Sequence, residues 1–195
     1  MNLTPSTILA LIAQAPVAPR ATAQAVLDMG VPRQALWPMF ILVMIASVLL
    51  SAVSQVLTPL PAEQAVVWLS PFSMAMIVTG ATIAYIAGIW LIGVQFGGNG
   101  SFADSLLLMT FLQAVLLAAD VVKIVATVIS PALGGAVFFV VALMAFWLNI
   151  NFVDVLHRFG SLLKSFFLIL FVSFVLGTIA ALLLASMGLT ISGAT

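Results

Sequence analysis

The stretch from Phe102 to Ile129, FADSLLLMTFLQAVLLAADVVKIVATVI, decides the fold. Its only charges are Asp104, Asp120 and Lys123, and it holds no proline or glycine. Gly97-Gly98-Asn99-Gly100 stands before it and Ser130-Pro131 stops it. About 20 apolar residues rising 1.5 Å each are enough to cross about 30 Å of hydrocarbon as a helix. The run lacks the alternation of a barrel strand. Backbone groups in lipid must also find partners within their own segment, which a helix provides.

Working outward, four further runs have the same character. They span about 36–57, 72–96, 133–150 and 162–187, with 102–129 third in order. Proline and glycine punctuate them at Pro59, Pro61, Pro71 and the glycine loop. The chain is 65% hydrophobic and 5% charged, with a mean hydropathy of +1.37. Soluble domains run near 45–50% apolar and about 25% charged, so ten charged side chains cannot clothe a water-soluble surface of this size. The reading is an all-α integral membrane protein, a single bundle of about five transmembrane helices. Segment 1–35 leads into it, 36–187 is the bundle and 188–195 is a short external tail. Zero net charge gives no sign of nucleic acid, and the absence of cysteine excludes disulfides and thiolate metal sites.

Arg20 and Arg33 precede the first span, and Arg158 and Lys164 lie between the fourth and fifth. Five spans put all four on one side, which the positive-inside rule makes cytoplasmic. The N-terminus is therefore expected inside and the C-terminus outside. The first basic residue is Arg20, so no cleavable signal is expected. Thr4-Pro5 opens one short helix, broken by Pro16 and Pro19, and Ala21 to Met29 forms another ending at Gly30. Both are apolar enough to lie on the membrane face or under the bundle.

The glycine loop and the third span carry the polar chemistry. Gly97, Gly98 and Gly100 supply backbone freedom for a reversal. Ser101 is placed to cap the third span and Asp104 to complement its dipole. A phosphate-cradling loop would need the Lys-Ser/Thr that is missing here. At 100° per residue Thr110, Gln113, Asp120, Lys123 and Thr127 fall within about 140° of one another, a polar stripe on an apolar helix. Asp120 and Lys123, three apart, can meet. The stripe is either a structural pair with Gln113 bonding a neighbouring helix, or a proton, ion or polar-substrate site.

Small residues recur every four positions at Gly80, Ala84 and Gly88, again at Gly177, Ala181 and Ala185, and at Ser47 and Ser51, the spacing of close helix packing within a bundle or between copies. Trp68, Trp90 and Trp147 are candidates for the membrane interfaces. Phe152, Val155, Leu156, Phe159, Leu163 and Phe166 recur at helical spacing between polar residues, which reads as an amphipathic helix at the basic interface. His157, the single histidine, is expected there as a satisfied or solvated side chain, since no second His, Cys or carboxylate cluster accompanies it for a metal. No zinc, serine-hydrolase or aspartyl-protease pattern occurs.

Pro19-Arg20, Val26-Leu27, Pro32-Arg33 and Leu36-Trp37, followed by Gly97-Gly98-Asn99-Gly100-Ser101-Phe102, resemble the lead-in and the Gly-Gly-x-Gly-Ser/Thr-Phe turn of bacterial members of the Yip family, the Ypt/Rab-interacting membrane proteins. Five spans with the N-terminus inside are similar to that family too. Where its members often carry Tyr and Pro in span three, this chain has Thr110, Phe111 and Gln113. The resemblance implies a non-enzymatic protein of a bacterial inner membrane, with no cofactor. Eukaryotic members work with small GTPases in vesicle traffic, a role tied to a long cytosolic lead-in and not expected to transfer to so compact a chain. The expected function is a small membrane scaffold or interaction protein, meeting another membrane protein or its own copy in the lipid bilayer. The alternative is a transporter or channel using Gln113, Asp120 and Lys123.

Overall fold

The computed structural model describes residues 4–58 and 71–186, all helical apart from caps and turns. The link carrying Glu63 and Trp68 and the tail 188–195 lie outside the described residues. The helices are α1 (Pro5–Gln14), α2 (Pro19–Leu27), α3 (Arg33–Leu57), α4 (Pro71–Gln95), α5 (Phe102–Ile129), α6 (Pro131–His157) and α7 (Leu162–Ser186). Five of them, α3 to α7, are long and apolar enough to cross a membrane.

The long helices alternate in direction, and α5 is the hub. Of its most apolar window 44% is buried by protein, against 11–28% for the other four spans. Burial concentrates at one end of the bundle, where Arg20, Arg33, Arg158 and Lys164 sit. There the first half of α5, from Ser105 to Val115, packs on the last turns of α6. Phe111 stacks on Phe152 with ring centres 6.2 Å apart, and Leu108, Leu148, Ile89 and Leu168 are fully buried. Away from this end the helices meet lipid: Val121, Val125, Phe139, Leu143 and Phe174 are exposed. Lipid is as apolar as these side chains and exerts no hydrophobic push on them, so contact there is optional.

The two N-terminal helices close the basic end. Thr4 caps α1 by accepting the Thr7 amide, and proline occupies the first turn of both α1 and α2, where its missing N–H is of no consequence. Leu11, Ala15, Ala23 and Val26 are buried, tying α1 to α5 and α2 to both α5 and α6. The second helix begins at Pro19, two residues ahead of the expected Ala21.

Two span boundaries differ from the sequence reading by three residues or more. The first span starts at Arg33, since Pro38 lies near the helix start and leaves only the exposed Gln34 carbonyl without its usual donor. More consequentially, α6 does not end at Ile150. It continues to His157, and the amphipathic helix read from Phe152 to Phe166 is not one element. Its first half is the last turns of α6, fully buried at Phe152, and its second half opens α7. The break is a left-handed Arg158 (φ 54°) followed two residues later by Gly160 (φ 63°). Arg158 N–H bonds the Val155 carbonyl and Phe159 N–H bonds that of Asp154, the paired closing bonds of a Schellman cap.

Candidate functional site

The most highly built part of the molecule is the basic end, where the α4–α5 loop, the α6–α7 turn and α2 converge. The loop opens with a second Schellman cap. Gly97 is left-handed (φ 84°) and its N–H bonds the Val94 carbonyl, while Gly98 N–H bonds that of Gly93 at 2.9 Å. Ser101 and Asp104 then form a reciprocal capping box. Ser101 Oγ accepts the Asp104 amide at 3.1 Å, and the Asp104 carboxylate accepts the Ser101 N–H and hydroxyl.

His157, the last residue of α6, is fully buried against this loop. A Cβ built on Gly93 would lie 2.1 Å from Nε2, one on Gly98 2.4 Å from Nδ1, and one on Gly100 2.9 Å from the neighbouring Leu156 Cγ. Three glycines therefore form a cradle for the ring. Backbone freedom explains Gly97, whose φ demands it, while Gly98 and Gly100 are needed for close approach. Nε2 lies 3.1 Å from the Ile89 carbonyl, which can only accept, so Nε2 carries the proton and Nδ1 is a bare acceptor. Nδ1 is buried with no partner. Phe159 stacks on the ring at 5.1 Å. The His157 carbonyl, one of the last four that a helix leaves open, accepts the Asn99 N–H at 3.2 Å. His157 is thus an interior pin between two turns and is not solvated at an interface.

Beside it, Asp154 joins three elements. Its carboxylate pairs with Arg20 of α2 through Oδ2 and accepts the Ser161 N–H at the start of α7 through Oδ1, at 2.8 Å. The Asp154 side chain is 5% exposed and that of Arg20 52%. The acid is buried and its guanidinium partner reaches it from the surface. The interfacial amphipathic helix expected over this stretch set Asp154 among its polar residues and His157 there as a satisfied or solvated side chain. The available signal was a lone Asp flanked by Val153 and Val155 inside an apolar run, a position where a charge needs a named partner.

The polar stripe of α5 is not gathered into one site. Asp120 and Lys123 bond each other within the helix, both partly exposed, and Thr127 Oγ1 bonds the Lys123 carbonyl at 2.8 Å. Gln113 reaches across to Ser47 of α3 at 3.5 Å, and Thr110 is buried with its hydroxyl unpartnered. A bond that sequence reading missed, Asn149 of α6 to Tyr85 of α4 at 2.8 Å, ties a second helix pair in the bundle interior. Among the described residues no group of three His, Asp or Glu side chains is placed to hold a metal.

The small-residue positions divide. A Cβ on Gly88 would meet Val172 at 2.8 Å, so α4 and α7 touch there. Gly80 and Gly177 have nothing within 4 Å, and Ala84 and Ala181 are exposed with them. Those four do not pack inside this bundle, because the helices part towards that end. Gly134, which the spacing did not single out, marks a closer approach: its Cβ would lie 2.2 Å from Thr127 Oγ1, beside the short Ser130 turn.

The family model for the Yip1 domain matches residues 14–184. The chain belongs to the Yip1 family. The match takes in α2 and all five long helices, so the Arg20–Asp154 junction, the glycine cradle and His157 all lie within the Yip1 domain. With its five apolar helices this Yip1-family chain is an integral membrane protein. No curated protein and no solved structure matches it.

Proposed function

We propose that this Yip1-family protein is a small membrane scaffold that works by holding another membrane protein, or a second copy of itself, against its outer helix faces. The observation that carries the reading is how the charged groups of the bundle and its histidine are used. Asp154 joins α2, α6 and α7, and His157 joins α6 to the α4–α5 loop. In the α5 stripe Asp120, Lys123 and Thr127 are satisfied along their own helix. These groups are spent on shape, which supports a binding role over chemistry or transport. The outward stripe of Gly80 and Ala84 on α4, with Gly177 and Ala181 on α7, offers the low relief on which a partner helix gains dispersion contacts in lipid.

The test is site-specific photocrosslinking in native membranes, with the probe at Ala84 or at the lipid-facing Phe139. The expected result is a discrete protein adduct from Ala84 and lipid adducts alone from Phe139. Protein adducts from neither site, or equally from both, would overturn the proposed face. A proton or ion flux in liposomes that disappears with Asp120→Asn would favour transport instead.

A further inference from the structure

A groove of about 300 Å³ opens at the basic end between the first turns of α3 and α5. Arg33 and Trp37 line it from α3; Ser101, Phe102, Ala103 and Leu106 line it from the other side. Arg33 and Phe102 are the first residues of two helices long and apolar enough to cross a membrane, so the groove lies at the ends of both. Its upper part is cationic and rich in donors. Arg33 is exposed and, unlike Arg20 and Lys123, makes no ion pair among the described residues. Phe102 and Ala103 belong to the first turn of α5, where amides have no carbonyl four residues back to bond. Ser101 Oγ takes the Asp104 amide and leaves those two open. Asp28, five residues before Arg33, accepts the Gln24 side-chain amide and is not part of the lining; Asp104 is the nearest acid on the α5 side. Its carboxylate turns back onto the Ser101 N–H and hydroxyl and is not part of the lining. The lower part is apolar: Trp37 lies 45% exposed with its ring 6.3 Å from that of Phe102, and Leu106 is buried beneath.

We infer that this groove seats one anionic phospholipid. The phosphate lies on the Arg33 guanidinium and the first amides of α5, a pairing of planar donor fork and helix N-terminus suited to phosphate. The acyl chain runs over Trp37 and Leu106. Free phosphate would leave the apolar wall uncovered. A zwitterionic lipid would bring its own ammonium beside Arg33. Both therefore bind more weakly than a lipid of net negative charge. The inference is independent of the scaffold reading, because the groove lies at the basic end and the Gly80–Gly177 stripe does not.

The experiment uses the whole chain, delipidated in detergent and titrated with phosphatidylglycerol or phosphatidylcholine, and reads retained lipid by native mass spectrometry. One phosphatidylglycerol is retained in preference to phosphatidylcholine. Arg33→Gln weakens that retention about tenfold, the loss of one charge-assisted contact. Ala103→Phe, which fills the groove, removes the retained lipid. Arg158→Gln removes a basic residue at the same end but outside the groove, and binds as the wild type does. Inorganic phosphate does not compete. Equal losses from Arg33→Gln and Arg158→Gln would show diffuse surface attraction and overturn the site. So would equal retention of both lipids, or displacement by phosphate. If Ala103→Phe does not fold, the comparison of the two arginine variants decides alone.

Discussion

Gly98→Ala tests whether the glycine loop provides space for a neighbour or merely conformational freedom. The new methyl would sit 2.4 Å from His157 Nδ1 and 2.6 Å from its Cβ and Cγ. Ordinary contact needs about 3.5 Å, so three atoms must each move by about 1 Å. The ring has nowhere to go, being fully buried with Gly93 against its far side and Phe159 stacked on its face. Overpacking of this kind costs about 1–3 kcal/mol, and the lack of any retreat puts this case at the top of that range. At about 2–4 °C per kcal/mol for a chain of this length, the melting midpoint in detergent should fall by roughly 6–12 °C. Gly97→Ala meets no atom within 4 Å and is penalised only by its positive φ, at about 1–2 kcal/mol. The two mechanisms separate in a His157→Ala background. Removing the imidazole destabilises by itself, by about 3 kcal/mol, but makes room for the methyl, so there Gly98→Ala should cost little. Gly97→Ala should cost the same in both backgrounds. An undiminished penalty for Gly98→Ala without the imidazole would refute the cradle.

Three further outcomes follow from the same end of the bundle and from α5. Arg158→Gly should raise thermal stability by about 1 kcal/mol, because glycine takes the left-handed cap position without the steric penalty that arginine bears there; a lower melting point would mean the guanidinium makes a stabilising contact. Arg20→Gln should destabilise by less than the roughly 3–5 kcal/mol typical of breaking a fully buried pair, since half of Arg20 is in solvent, and adding Asp154→Asn should recover part of the loss; protease nicking near Pro16–Ala18 reports release of α2. For Asp120 and Lys123, Lys123→Met alone should lower the melting point more than Lys123→Met with Asp120→Asn, and equal stability of all four combinations would mean that each charge reaches headgroups or water independently.

Composition and run length alone determined the class and the number of spans, because lipid imposes one rule on every residue it touches: apolar side chains and an internally bonded backbone. The Ser101–Asp104 capping box was legible for a related reason. Its partners are three residues apart, and the helix itself brings them together. The same local geometry let Asp120 and Lys123 be paired in advance. Where α6 ends was not legible, since the helical spacing of Phe152 to Phe166 runs through a break that a left-handed Arg158 makes and only Gly160 hints at. The burial of His157 and the partner of Asp154 depend on the loop at 97–100 and on Arg20, which lies 134 residues away in the chain. Small-residue spacing likewise gave Gly80, Ala84, Gly88, Gly177 and Ala181 equal standing, while the splay of the helices lets only Gly88 touch a neighbour and gives the closest approach to Gly134. Contacts within a helical turn are fixed by the period of the helix. Contacts between helices in a membrane, with no hydrophobic force to make every apolar face close, are fixed only by where the chains come to lie.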